Sequence, residues 1–173
     1  MLGDNDHGHQ AGPDAGRSVH VDACGFDAKE MLVLELMRYF CLSYAEPMTQ
    51  GWLSAFSRAQ GVLGQADGPM LACHVSDLLS AVRRERKTQF NFIDPRCAQC
   101  AARVYPTELA LILLLRSARQ AYPEQMRAIA RDVVGDEDAD ETLGAGHALA
   151  GCLIKISLGM PETWHGAASR AIH

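Results

Sequence analysis

The sequence predicts an all-α, single-domain helical bundle of about six helices, with one short extended segment and a Cys-x-x-Cys loop. Three observations carry that prediction. The 173 residues are 48% hydrophobic and 21% charged, the balance of one globular domain with a core of its own. Aromatic residues make up only 6%, so the core must be built mainly from aliphatic side chains, which suits closely packed helices. Apolar residues also recur at helical spacing in six stretches punctuated by Gly, Pro or acidic residues.

Residues 1–26 are polar, with Asp4, Asp6, His7, His9 and Asp14 among glycines, and read as a flexible N-terminal arm. The helical domain spans 27–158. Asp27 is the expected N-cap of its first helix, with Glu30 closing a capping box. Met31, Leu32, Leu34, Leu36, Tyr39 and Phe40 then leave Glu35 and Arg38 as a narrow polar edge. Pro47 ends this helix, because the residue before proline is pushed out of helical backbone. A second helix over 49–63 places Trp52, Phe56, Ala59 and Leu63 on one stripe, and Gly64 stops it. The third, over 69–86, buries Leu71, Val75, Leu78 and Val82.

The segment 88–93 alternates Phe90 with Phe92 and is the extended piece. A fourth helix over 107–121 carries the longest apolar run, Leu109 to Leu115. Glu108 sits in its first turn, where the helix dipole favours an anion. The run is far short of the roughly 20 residues that cross a bilayer, so no membrane segment is expected. Pro123 opens a fifth helix with Met126, Ile129, Ala130 and Val133 as its stripe, and Gly135 ends it. After the acidic cluster Asp136 to Glu141, a sixth helix reaches about Leu158 with Leu143, His147, Ala150 and Ile154 on one face. Residues 159–173 form a C-terminal tail.

Cys97 and Cys100 are the pair with definite chemistry. Thiols at that spacing chelate one soft metal ion from a single loop or close into a disulfide. A structural zinc site wants four ligands, so the pair supplies half. His74 is the preferred third ligand, since Cys73 beside it points about 100° away on the same helix. Cys41, His147, Cys152, Glu108 or water stand open as the fourth. The chain lacks the basic start and apolar stretch of a secretory signal, which predicts a cytoplasmic protein with all six cysteines reduced.

The leading expectation is therefore a small cytoplasmic zinc-binding protein, a regulatory or protein-interaction module whose metal is structural. The ion would pin the irregular segment from Phe90 to Val104 and present basic residues to an acidic protein partner. One alternative is a thiol–disulfide redox protein in which Cys97 attacks and Cys100 resolves. The βα alternation of thioredoxin-type proteins is missing from the pattern.

Another alternative is a nucleic-acid-binding transcriptional regulator. Residues 83–131 hold ten Lys or Arg against four Asp or Glu, a local net of +6 within a chain of formal charge −5. Arg83, Arg84, Arg86, Lys87, Arg96 and Arg103 would be the phosphate contacts. The fourth and fifth helices also resemble a helix-turn-helix in outline, with Glu124, Gln125, Arg127 and Arg131 exposed. No GxxxxGK loop, GxSxG elbow or HExxH helix is present, so the sequence carries no signature of catalysis.

Overall fold

The computed structural model describes residues 18–156. The arm over 1–17 with His7 and His9, and the tail after Ile156, lie outside the described residues.

Helix α1 spans Ala28–Ala45. Its start is fixed reciprocally. Asp27 Oδ1 accepts the Glu30 N–H at 2.8 Å, and Glu30 Oε2 accepts the Asp27 N–H at 3.0 Å, which satisfies two donors that a helix end leaves orphaned. Leu34, Leu36 and Met37 are fully enclosed, so α1 is central. Its polar edge is not all solvated, because Arg38 is buried.

Past Pro47 the chain reverses at Gln50, in left-handed backbone at φ 50°, and enters α2, Gly51–Glu85. Only glycine fits at 51, where a Cβ would collide with the Tyr39 carbonyl. The expected second and third helices are the two arms of α2, which bends at Gly64 (φ 82°, ψ −176°) with no intervening linker. Among the described residues there are thus five α-helices rather than about six. The bend folds Gly68 against the backbone of Ala59 and Gln60. Trp52 departs from its expected stripe and is 47% exposed, while Ala55 and Ala59 take the buried positions.

Helices α3 (Pro106–Arg119), α4 (Pro123–Val134) and α5 (Asp140–Lys155) complete the bundle. The α2 helix packs on both α1 and α5, and α3 lies against α4 and α5. The expected cores of α3 and α4 are observed: Leu111, Ile112, Leu114, Leu115, Met126 and Ala130 are enclosed. Gly135, left-handed at φ 72°, caps α4. The buried face of α5 keeps Ala150 of the predicted one but is otherwise rotated from it. It runs through Thr142, Gly146, Leu149 and Leu153, whereas His147 and Ile154 face outward. Gly146 sets this rotation, since a Cβ there would meet Leu114 and Met126 side chains at 2.6 and 2.9 Å.

The folded body also begins before Asp27. Strand β1 (Val19–His20) pairs antiparallel with β2 (Arg103–Val104), Val19 opposite Val104, and Val21 enters the core. The expected extended segment 88–93 forms no strand. Side chains satisfy its backbone instead: Thr107 Oγ1 donates to the Asn91 carbonyl at 2.7 Å, and Glu108 Oε1 accepts the Ile93 N–H at 3.2 Å. Among the described residues no helix is long and apolar enough to cross a membrane.

The bend in α2 gives opposite signs to two glycine substitutions. Gly68→Ala forces backbone apart and should cost about 1–3 kcal/mol. Gly61→Ala has open space around its Cβ and should stabilise by about 0.5–1 kcal/mol. Urea unfolding of both variants checks the pair.

Candidate functional site

The segment from Ile93 to Tyr105 holds the candidate site, and its path is set by backbone turns. Asp94 Oδ1 accepts the Arg96 N–H at 2.8 Å, and the Asp94 carbonyl accepts the Cys97 N–H at 3.1 Å. The Cys97 carbonyl in turn accepts from Cys100 and Ala101 at 3.1 and 3.0 Å. These successive turns bring Cys97 and Cys100 to a Cα separation of 5.2 Å, and the two sulfurs are joined as a disulfide. The Cys100 N–H also points at Cys97 Sγ, 3.3 Å away. Both residues are partly exposed. The structure thus joins this pair where six thiols were expected, while Cys24, Cys41, Cys73 and Cys152 are free.

What holds the loop to the bundle is a buried ion pair. Arg38 Nε donates to Glu108 Oε1 at 2.7 Å and Arg38 Nη2 to Oε2 at 3.2 Å, with 6% and 1% of the two side chains exposed. Arg38 also donates to the carbonyls of Ala101 (3.1 Å) and Arg103 (2.5 Å). Glu108 accepts the N–H groups of Ile93 and Tyr105, the latter at 2.8 Å. Both arms of the cysteine loop therefore end on this one pair. Sequence reasoning placed Glu108 at the helix start but left Arg38 on a polar edge with Glu35, although it is the one arginine of a helix apolar over most of its circumference. A second tie is exposed: Arg96 makes a fork to both Glu46 carboxylate oxygens at 3.0 Å and also binds Asp94.

The other predicted site residues are dispersed. Among the described residues, no three His, Cys, Asp or Glu side chains converge to hold a metal ion, so His74, half-buried on α2, does not complete a ligand set with the two sulfurs. Cys41 is enclosed in apolar surroundings, which push its thiol up to about 12, with the Glu108 carboxylate adding to the rise. Burial likewise raises the Cys152 thiol. His147 is exposed on α5, and Glu108 is taken up by the clamp. Among the described residues, the two sulfurs are therefore not joined by the further donors that a four-ligand zinc site takes.

The basic residues are similarly engaged. Arg83 stacks on the Tyr44 ring at 4.0 Å. Arg84 pairs with Glu141 and Lys87 with Asp136, each at 2.6 Å, and Arg86 donates to the Val133 carbonyl. Arg103 binds Ser18 at 2.7 Å through Oγ. Arg127 pairs with Glu124 and Arg131 with Glu137, so the exposed face of the helix-turn-helix outline is half acidic. Glu85, unremarked in the sequence, caps α5 from the end of α2 by accepting the N–H groups of Glu141 and Thr142 at 2.8 and 2.9 Å.

Beside the cysteine turn lies a groove between α1 and the first arm of α2, a cavity of about 160 Å³. Pro95 and Ala101, which flank the disulfide, form one edge. No family model, curated protein or solved structure matches this chain.

Removing one partner of the clamp strands a buried charge. Arg38→Ala and Glu108→Ala should each cost about 3–5 kcal/mol, and the double variant less than their sum, measured by denaturant unfolding. Thiol accessibility should be ordered as well. A thiol reagent at pH 8 should label exposed Cys73 in the native protein, and Cys41 and Cys152 only on unfolding, as read by peptide mass.

Proposed function

We propose that this chain is a thiol–disulfide protein whose redox couple is Cys97 and Cys100, borne on a helical bundle. The joined pair on a partly exposed turn carries the reading. Its Cα separation lies inside the roughly 4.4–6.8 Å that a disulfide needs. The Cys100 N–H aimed at Cys97 Sγ would stabilise a thiolate there, which favours Cys97 as the exchanging sulfur. The ion-pair clamp supports the reading too, because the loop's arms stay anchored whether the bond is open or closed.

A partner thiolate attacks Cys97 Sγ, the Cys97–Cys100 bond breaks, and Cys100 leaves as a thiolate that takes a proton. A second partner thiolate then attacks the partner sulfur of the mixed disulfide and releases Cys97, which is protonated in turn. The partner loses two electrons and two protons as its thiols become a disulfide, and the cysteine pair gains both. In the cytoplasm, where we place the protein, the dithiol would predominate and the disulfide would be its transient form.

A structural zinc at the same sulfurs would require two further donors from outside the described residues or from another chain. The two readings separate in one experiment. Equilibration against thiol–disulfide buffers should give one two-electron transition between about −120 and −270 mV, the range of exchange proteins. Cys97→Ser should abolish it, and Cys100→Ser should trap the mixed disulfide. A potential below about −300 mV, the range of static cross-links, would overturn the proposal. So would stoichiometric zinc whose removal unfolds the reduced protein.

A further inference from the structure

We infer that the thiol partner exchanged at Cys97 and Cys100 is a polypeptide that seats an apolar side chain in the groove under Pro95 and Ala101. The inference rests on the redox reading above and names the substrate class of that same site.

Position is the first argument. Pro95 precedes Cys97 by two residues and Ala101 follows Cys100 directly, so a molecule reacting at the disulfide lies within reach of the cavity that these two residues edge. Size is the second. At about 160 Å³ the cavity is well below the roughly 300–1,000 Å³ of sites that enclose a whole small ligand. It has room for one aliphatic side chain.

The chemistry of the lining agrees. Ala28, Met31, Leu32 and Val62 make its wall apolar. Its charged members are already paired: Glu35 and Arg58, both in its lining, neutralise each other at 2.9 Å, and Arg38 belongs to the clamp. The groove therefore offers little to the carboxylates and ammonium of a small peptide thiol such as glutathione. It suits a hydrocarbon side chain carried next to a cysteine.

A separate observation extends the contact. Glu46, which holds Arg96 of the cysteine loop in a two-oxygen fork, opens the α1–α2 corner, and that corner leaves Met48 95%, Trp52 47% and Leu53 46% exposed. Apolar surface thus adjoins the loop at this corner as well as at the groove. That arrangement accommodates an extended chain better than a compact thiol.

Reduction of the Cys97–Cys100 disulfide can be followed by quenched alkylation and mass analysis with three thiols, compared per thiolate. The probes are an acetylated octapeptide with one cysteine next to a leucine, the same peptide with aspartate in place of the leucine, and glutathione. The leucine peptide should react at least about ten-fold faster than either other thiol, as expected from burying one such side chain. Val62→Asp should remove that advantage while leaving the glutathione rate within about two-fold, because only the apolar contact is lost. Ala28→Met, which fills the groove from α1 without introducing charge, should do the same.

Equal rates for all three thiols with the unaltered protein, or an advantage that survives in both folded variants, would overturn the inference and leave the redox reading standing. Failure of every thiol to reduce the pair would remove both together.

Discussion

Arg38 and Glu108 are the constraint on which the rest of the structure depends. Burying an ion pair costs desolvation energy that its mutual attraction offsets only when the remaining donors and acceptors are also satisfied. Here they are: Arg38 serves Glu108 twice and two carbonyls, and Glu108 takes two backbone N–H groups besides the guanidinium. The same pairing recurs eight residues away. Glu30, also buried, binds Arg116 of α3 at 2.6 Å. Each helix carries a glutamate followed eight positions later by an arginine, Glu30 and Arg38 on α1, Glu108 and Arg116 on α3. Opposite charges meet only if the helices run antiparallel in this register, whereas a parallel alignment would oppose like charges in the interior. The two pairs therefore specify direction and register, which burial of leucines alone does not.

The clamp also fixes what lies beyond the helices. By holding the Ala101 and Arg103 carbonyls it places β2, against which β1 pairs, so the N-terminal strand depends on an arginine in α1. Pinning the irregular segment to the bundle, the task expected of a metal ion, is done by carboxylate and guanidinium. The charge asymmetry has a similar internal use. Basic residues at the end of α2 meet the acidic segment before α5 through Arg84–Glu141 and Lys87–Asp136, and the contact raises the Lys87 pKa while lowering that of Asp136. Part of the local +6 is thus paired across elements with the acidic segment before α5.

Local rules that act within one helix were legible from the sequence. The Asp27–Glu30 box, the Gly135 terminator, the buried row Leu71, Val75, Leu78 and Val82, and the leucine-rich α3 all follow from spacing. Features decided by a distant partner were not. Arg38 looked solvated because its counter-ion lies 70 positions away. Strand β1 is two residues long and its partner is more than 80 positions off, too little for alternation to register. In α5 the buried face is defined partly by an absent side chain, Gly146, and periodicity counts side chains. The cysteine pair was legible as chemistry, but spacing alone could not show that the two sulfurs meet each other rather than His74.

The clamp sets how strongly the cysteine bond and the fold are coupled. A disulfide stabilises mainly by restricting the unfolded chain, and more so for longer loops. Cys97 and Cys100 are three positions apart, so the chain-entropy relation assigns their bond only roughly 2 kcal/mol. By the thermodynamic cycle linking bond and fold, folding shifts the reduction potential by the same free energy, roughly 40 mV. The loop arms already end on Arg38 and Glu108, and the free energy of the bundle lies in its core and in those pairs. On the proposed redox reading, the bond would open and close at modest expense to the fold, and the groups placed to tune it are those of the turn: the Cys100 N–H at Cys97 Sγ, the partial exposure of both sulfurs, and the Asp94 and Arg96 charges that flank the turn.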